Sequence, residues 1–340
     1  MLAALVGCSD TATNRGAPTP SAADIGARAQ GCAIAELLVP SCGAWIGSSV
    51  PSLDGLFDHQ RGIAEFMSAT ETDPDIVHLY SRGSIAFPSA EQRLLVERPD
   101  EDDRLFYFSW KPSTDRTWRQ IANGEADDAI EAVANGLVAF GDQLFLTIHH
   151  EPENDVDARP ESGMNTDDYA AMYRYVVGRL RFLGVDNAVF VMTYMGFERW
   201  APIVDALYPG DDVVDWIAYD PYGRLDDTAF ADILNRPNQQ GWPGFYSWAT
   251  AKAPGKPMML AEWGFDLADN VEAAKLLENA ASTLATDFSE IKAVVYWNGL
   301  GGSVDARLAR DTDVAESFAR AYGEFARHSY FDQAGPVESP

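Results

Sequence analysis

Eight short apolar runs, each followed by a polar loop and then by a helical pattern, constrain this chain more than any other feature of its sequence. The runs are almost continuous in apolar residues, which is typical of parallel strands covered on both faces. The strands predicted in this way span Gly43–Gly47, Asp75–Tyr80, Leu105–Trp110, Leu144–His149, Ala188–Tyr194, Val213–Tyr219, Pro257–Glu262 and Ala293–Trp297.

The helical pattern is clearest between the fourth and fifth runs. Thr166 is a good N-cap, and the two aspartates after it lie where the helix dipole favours negative charge. Gly184 can supply the left-handed cap that ends this helix. Two more helices are predicted from about 271 to 285 and from about 314 to 326. The apolar positions of the first helix step by three or four residues and form one stripe, at Tyr169, Met172, Tyr173, Val176, Val177, Leu180 and Leu183.

Eight strands that alternate with helices predict a (β/α)8 TIM barrel, in one catalytic domain over residues 36–335. A chain of 340 residues with 46% hydrophobic content can bury one large core. A doubly wound open sheet is the alternative. Such a sheet normally has a glycine-rich phosphate-binding turn after its first strand, and Ser48–Pro51 does not provide one.

The N-terminal region has a different composition. Residues 1–8 resemble the end of a truncated bacterial lipoprotein signal, because Leu5-Val6-Gly7 precedes Cys8 as in a lipobox. The resemblance implies a secreted or cell-surface protein with a lipid anchor on Cys8, and an arbitrary apolar N-terminus is the alternative. Residues 9–35 are rich in Ser, Thr, Pro and Ala and predict a tether. Cys32 and Cys42 either form a disulfide across a short loop or stay free.

The charge of the chain excludes some classes of partner. It carries 52 acidic and 25 basic side chains, a formal net charge of −27. Such a surface repels nucleic acid and anionic membranes and suits a neutral substrate, although solubility or adaptation to salt explains it equally well. No later run approaches the roughly 18 apolar residues that a membrane span needs.

Two of the predicted strands end in a glutamate. The fourth strand leads through His149 and His150 to Glu151, and the seventh ends at Glu262. Catalytic groups of such barrels lie at the C-terminal ends of the strands, and strands four and seven face one another across the mouth. Two carboxyls there can flank a sugar linkage, so that one donates a proton while the other attacks the anomeric carbon.

Longer motifs surround these glutamates. They comprise Ser109–Pro112, Trp118 and Ile121–Asp128 after the third strand, the His150–Glu151 dyad, Tyr208–Tyr222 around the sixth strand, and Ala261–Gly264. Together these segments resemble glycoside hydrolase family 26, which includes the β-mannanases, over residues from about 43 to 300.

The resemblance implies a retaining glycoside hydrolase that cleaves β-linked polysaccharide or oligosaccharide, with β-1,4-mannan as the first candidate. Glu151 would be the acid/base and Glu262 the nucleophile. Tyr222 would hydrogen-bond Glu262, and His150 would orient the substrate or Glu151. Two tryptophans would contact sugar, Trp297 at the cleavage point and Trp110 as a stacking wall. We expect no cofactor, and we expect a monomer.

One motif departs from the family pattern. The family's His-Glu-Met-Asn-Gly is His150-Glu-Pro-Glu-Asn154 here, so that Glu153 replaces or displaces the asparagine beside the acid/base. This leaves two interpretations of Glu153, a solvated loop charge or a role in recognising the sugar. Tyr219 also competes with Tyr222 for the contact with Glu262.

Two other functions remain open. A non-catalytic barrel could bind glycan at the cell surface, although a binding module has no need of both carboxylates. A metal-dependent hydrolase could use His149, His150, Glu151 and Glu153. Adjacent strand residues point to opposite faces, however, so the two histidines cannot easily share one ion, and no HExxH motif is present.

Overall fold

The structure, a computed structural model, describes residues 32–49, 59–98, 103–268, 270–301 and 304–331. The lipobox-like segment at residues 1–8 and most of the predicted tether lie outside these described residues.

Eight parallel strands close into a barrel in chain order, so the predicted fold is confirmed. The barrel closes where Trp45–Ser49 pairs in parallel with the last strand, from Trp45 opposite Ala293 to Ser49 opposite Trp297. The strands are β1 (Trp45–Ser49), β2 (Ile76–Arg82), β3 (Leu105–Lys111), β4 (Leu144–Ile148), β5 (Ala188–Tyr194), β6 (Trp216–Tyr219), β7 (Met258–Trp263) and β8 (Ile291–Trp297). Two short antiparallel strands, β9 (Leu300–Gly301) and β10 (Val304–Asp305), follow β8.

Helices surround the barrel. They are α1 (His59–Thr70), α2 (Ala90–Arg93), α3 (Trp118–Ala122), α4 (Asp127–Phe140), α5 (Thr166–Phe182), α6 (Ala201–Leu207), α7 (Phe230–Leu234), α8 (Phe245–Lys252), α9 (Ala280–Asp287) and α10 (Asp313–Ala326), with 3-10 turns at Pro152–Asp155, Glu198–Trp200 and Ala273–Leu277. Among the described residues, no helix combines the length and the apolar character that crossing a bilayer would require.

Two details of the predicted helices differ. The N-cap of α5 is Asn165, not Thr166, because the Asn165 side chain accepts from the backbone N–H of Asp168 while the Asp168 carboxylate accepts from Asn165 N–H. The helix predicted from about 271 to 285 is a 3-10 turn followed by the shorter α9. Each piece buries one apolar face, so the spacing of the apolar residues resembles that of one continuous helix and does not show the break between the two.

The core has two layers. The larger layer lies between the sheet and the helices, and the smaller one fills the barrel. Inside the barrel, Tyr107 bonds the hydroxyls of Thr147 and Thr193 at 2.9 and 2.7 Å, so the polar atoms in the interior are paired with one another. The barrel is therefore a packed core, and a substrate can meet it only at an end.

The N-terminal end of the barrel is closed by residues 32–42. A disulfide joins Cys32 to Cys42, so the pairing that the sequence left open is formed. The indole N–H groups of Trp45 and Trp216 donate to the carbonyls of Leu38 and Leu37, both at 2.8 Å. Within the described chain, this segment closes the bottom of the barrel and leaves the C-terminal ends of the strands for the functional site.

Candidate active site

The chain after β4 presents two histidines in different directions. Phe145 and Thr147 point into the barrel, so regular alternation would point His149 inward as well. Instead His149 has a φ of 57° and Glu151 a φ of 51°, both in the left-handed region that disfavours side chains. Backbone N–H bonds to Trp110 and Thr193 hold this turn at 2.8 and 3.2 Å. The turn points His150 and Glu151 to the mouth of the barrel and His149 away from it.

His149 belongs to a separate network behind the site. Its Nδ1 accepts from the Trp118 indole at 3.1 Å, and its Nε2 lies 2.8 Å from the Asp155 carboxylate. Lys111 Nζ lies 2.6 Å from the same carboxylate. The hydrogen bond from His149 and the neighbouring Lys111 hold the pKa of Asp155 well below its ordinary value. This network fixes the loop that follows Glu151.

Glu262 lies at an irregularity near the end of β7. Met259 and Ala261 point into the barrel, so a regular strand would turn Glu262 toward the helices. The pairing of β7 with β8 shifts register between Leu260 and Trp263. Such irregularities re-aim side chains, and here Glu262 reaches the mouth with 9% of its surface exposed.

Two tyrosine hydroxyls bind the Glu262 carboxylate, one on each oxygen. Tyr80, near the end of β2, donates to Oε1 at 2.7 Å, and Tyr222, after β6, donates to Oε2 at 2.6 Å. Hydrogen bonds of this kind favour the ionised form of a carboxyl and fix its orientation. Both oxygens of the Glu262 carboxylate are therefore fixed in orientation, with little water around them.

Asp220 lies between the two glutamates and is fully buried. His150 Nε2 is 2.6 Å from Asp220 Oδ2 and 3.5 Å from Glu262 Oε1, and the carboxyl of Glu151 is close enough to Asp220 for their charges to interact. Burial and the charge of Glu262 raise the pKa of Asp220 well above its ordinary value. The acids of this cluster cannot all ionise, so they retain a proton near neutral pH.

Glu151 is the acid of the cluster that is only partly buried and lies at the mouth of the barrel. Burial, and then the charge of Asp220, raise the pKa of Glu151 to about 8. The Asn154 side chain donates to Glu151 Oε2 at 3.1 Å. A carboxyl that keeps its proton at neutral pH is suited to act as a general acid.

Glu153 points away from the cleft and is 1% exposed. Its Oε1 accepts from the backbone N–H groups of Met195 and Gly196, just after β5, at 2.9 and 3.4 Å. Burial raises the pKa of Glu153 to about 7. Glu153 is thus neither a solvated loop charge nor a group beside the sugar, and Asn154 takes the place next to Glu151.

The structure brings together most of the residues predicted for the site. His150 and Tyr222 contact Glu262, whereas the Tyr219 hydroxyl donates to the Leu234 carbonyl at 2.7 Å and has no contact with that carboxylate. Trp297 is half-buried at the end of β8, with its ring edge-to-face with Tyr222 at 5.7 Å. It lies beside Tyr222, which binds Glu262.

The prediction that Trp110 forms a sugar-stacking wall is wrong. Its ring is completely buried and its indole N–H donates to the Gly83 carbonyl at 2.9 Å, so it offers no face to a sugar. The reason is the alternation of β3: Tyr107 and Ser109 point into the barrel, and Trp110 therefore points to the helix layer.

Sequence reasoning missed Tyr80 and Asp220. Tyr80 closes the predicted second strand, and Asp220 directly follows the sixth. Both satisfy the rule that polar groups at the C-terminal ends of barrel strands face the site. Applying that rule to every strand, instead of to the two that end in glutamate, would have found them.

The donor atoms of His150, Asp220 and Glu262 lie within 4.8 Å of one another, close enough to share a metal ion. Both Glu262 oxygens already accept tyrosine hydroxyls, and His150 Nε2 lies on Asp220. The donor set is therefore that of a hydrogen-bonded cluster.

Comparisons with known proteins point to glycanases. No protein-family model matches the sequence. Endoglucanase H from Acetivibrio thermocellus is 23% identical over 297 residues, which cover 83% of this chain and 30% of that protein. A β-1,3-xylanase from a Vibrio species is 30% identical over 110 residues, 32% of this chain and 23% of that protein. The chain spans less than a third of the length of these curated relatives.

Among solved structures, a ruminal endo-β-1,4-mannanase of glycoside hydrolase family 26 superposes with a TM-score of 0.58 at 16% identity, covering 87% of this chain and 66% of that one. At this identity the likeness concerns the fold. It confirms that the predicted resemblance to family 26 extends to the architecture of the barrel.

The buried Glu153 generates a prediction about stability. Its pKa is raised in the folded state, so the native chain binds this proton more tightly than the unfolded chain does. The stability that the proton provides is complete below the pKa of Glu153 in the unfolded chain, and it is lost as pH rises through the folded pKa of about 7. Glu153→Gln keeps an oxygen for the Met195 N–H and cannot ionise. Between pH 5 and pH 8, the unfolding free energy of this variant should rise relative to that of the wild type by about 3 kcal/mol.

Thermal or urea unfolding at several pH values measures this difference. Glu151 titrates in both proteins, and Glu153 is the smallest of the causes that raise its pKa, so most of its contribution cancels in the comparison. Glu161→Gln, at an exposed position of the same loop, is the matched control and should follow the wild type. A constant difference between Glu153→Gln and wild type over this range would contradict the prediction.

Proposed function

We propose that this chain is a retaining β-glycoside hydrolase in which Glu151 is the acid/base and Glu262 the nucleophile. The observation that carries the proposal is the opposite environment of the two carboxyls. Burial and the charge of Asp220 raise the pKa of Glu151 to about 8, whereas each oxygen of Glu262 accepts a hydrogen bond from a tyrosine hydroxyl. A pair of carboxyls on strands four and seven that differ in this way can provide an acid and a nucleophile.

In the first step Glu151 gives its proton to the glycosidic oxygen while a Glu262 oxygen attacks the anomeric carbon. The bond from that carbon to the leaving oxygen breaks, the leaving sugar departs as an alcohol, and a glycosyl ester forms on Glu262. Glu151 is then ionised, and Glu262 is uncharged because its carboxylate has become an ester.

In the second step the ionised Glu151 takes a proton from water. The resulting hydroxide-like oxygen attacks the anomeric carbon, the ester bond breaks, and Glu262 regains its negative charge. Two inversions at one carbon return the original configuration, and both carboxyls return to their starting protonation states.

The other residues of the site orient this chemistry. Tyr222 and Tyr80 fix the carboxylate that attacks, and Asp220 holds His150 against it. Trp297, half-buried at the end of β8, can support the sugar at the cleavage point. Groups that are fixed before the reaction need no reorganisation in the transition state.

For the substrate, we propose a neutral β-linked polysaccharide, with β-1,4-mannan as the first candidate. The family 26 structure named above is a mannanase, and the curated relatives are named as an endoglucanase and a xylanase. Glu153 is 1% exposed, so a sugar beside Glu151 would not meet its charge. The net charge of −27 also disfavours acidic glycans.

The first prediction concerns the proton of Glu151. Activity should fall as pH rises through about 8, because the acid is then ionised. Glu151→Ala should lower kcat/KM for polysaccharide by about a hundredfold or more, and by far less for a dinitrophenyl glycoside, whose leaving group needs no proton. The variant should also lose the alkaline limb of its pH profile. Equal losses on both substrates would contradict the role of Glu151 as acid.

The second prediction is stereochemical. Proton NMR of the first product, recorded before mutarotation, should show the β-anomer from a β-linked substrate. In Glu262→Ala, added azide should replace the carboxylate and yield the α-glycosyl azide by a single displacement. Initial formation of the α-anomer by the wild type would mean an inverting reaction, and the assignment of Glu262 as nucleophile would be wrong.

The third prediction concerns the glycan. In a panel of β-mannan, β-1,4- and β-1,3-xylan, mixed-linkage glucan and bacterial exopolysaccharide, mannan should release reducing ends fastest, and Glu262→Ala should release none. Hydrolysis of xylan or glucan alone would reject mannan but keep the catalytic pair. Tight binding of a glycan without hydrolysis would instead favour a binding barrel.

A further inference from the structure

A row of hydrogen bonds leads from the interior of the barrel to Glu262. Ser109 Oγ, on β3, lies 2.8 Å from His78 Nε2, on β2. His78 Nδ1 lies 3.1 Å from the Tyr80 hydroxyl, which donates to Glu262 Oε1 at 2.7 Å. Ser109 is 4% exposed and His78 is fully buried, whereas Tyr80 is 41% exposed. The row thus runs from a dry interior to the rim of the site.

Counting protons fixes the direction of this row. Tyr80 has one hydroxyl proton, and it points to the Glu262 carboxylate. The short contact between His78 Nδ1 and the same hydroxyl oxygen then requires Nδ1 to carry a proton and donate. A neutral imidazole has only one N–H, so in this direction Nε2 accepts from the Ser109 hydroxyl, which also lies near the Tyr107 hydroxyl.

The surroundings of His78 favour the neutral ring. Its ring stacks on Tyr107 with centroids 3.9 Å apart and lies 5.9 Å from the His150 ring. The Ala261 carbonyl and the Tyr80 hydroxyl are the other groups that face it. Burial, and then the neighbouring His150, hold the pKa of His78 well below its ordinary value.

We propose that Ser109 and His78 are positioning residues that fix Tyr80 as a second hydrogen-bond donor to the nucleophile. The Tyr80 residue is 41% exposed, so packing alone does not fix its hydroxyl, which lies between His78 Nδ1 and Glu262 Oε1. With His78 donating to the oxygen of Tyr80, the one remaining proton of that hydroxyl is directed to Glu262. Aligned hydrogen bonds also polarise one another, which strengthens the last bond in the row.

This inference rests on the proposed role of Glu262 and deepens it. Tyr222 and Tyr80 would each stabilise one oxygen of the carboxylate before attack. When the glycosyl ester breaks in the second step, charge returns to the carboxylate, and both donors would stabilise it there. The carboxylate is also faced by His150, Asp220 and Glu151, none of which contacts Tyr80 Oη through a described hydrogen bond.

The direction of the row can be tested without substrate. In full-length protein labelled with 15N-histidine, His78 should be neutral with its proton on Nδ1 across pH 5.5 to 8, and Ser109→Ala should shift the population toward the other tautomer. A wild-type His78 with its proton on Nε2, or a charged ring, would overturn the proposal even if the chain had no hydrolase activity.

Kinetics test the consequence for Glu262. Tyr80→Phe should lower kcat/KM for a dinitrophenyl glycoside by about tenfold or more, and Ser109→Ala by about threefold. Both should move the acidic limb of the pH profile to higher pH, since only the ionised nucleophile uses the lost donor. Tyr219→Phe is the matched control: it removes a buried strand-end hydroxyl that bonds Leu234.

The outcomes separate the two proposals. If the acidic limb of the pH profile does not move in Tyr80→Phe or in Ser109→Ala, the proposed role of the row is wrong. The proposed catalytic pair would still stand as long as the wild type is active. An inactive wild type would instead count against the proposed function, and the tautomer of His78 would still decide the direction of the hydrogen bonds.

Discussion

The pairing of the first strand with the last is the constraint on which the site depends. Trp45–Ser49 lies against Ala293–Trp297, and this contact turns a row of eight strands into a ring. Only in a ring do the ends of β2, β4, β6 and β7 converge on one point. Tyr80, His150, Asp220 and Glu262 come from these four strand ends, far apart in the chain. Their contacts are therefore a property of the closed barrel.

The convergence of the strand ends brings several carboxyls together. The cluster is stable because these carboxyls have different hydrogen-bond partners. Asp220 is fully buried, and one of its oxygens lies 2.6 Å from His150 Nε2. Glu262 has a hydroxyl on each oxygen. A proton retained among the acids and the hydrogen bonds to the anion reduce the repulsion that ionised carboxyls at this spacing would suffer. The chemistry of the site and the stability of the cluster thus have the same origin.

The strand pattern in the sequence predicted the barrel and the strand ends that carry Glu151 and Glu262, because apolar runs and their order follow from burial. It could not predict which way side chains turn where strands become irregular. Left-handed residues reverse the directions of His149 and His150, and a register shift re-aims Glu262. Where β3 stays regular, alternation from Tyr107 would have placed Trp110 in the helix layer. Bonds such as Tyr80 to Glu262 span 182 positions and follow only from the closed ring.

In the proposed function, the left-handed backbone at Glu151 opposes stability to catalysis. A side chain in this region costs about 1 kcal/mol or more, a cost that glycine avoids and asparagine reduces. Selection for a robust barrel alone would favour Gly or Asn at position 151. In a relative that no longer needs the acid, replacing this glutamate by Gly or Asn would therefore increase the stability of the fold.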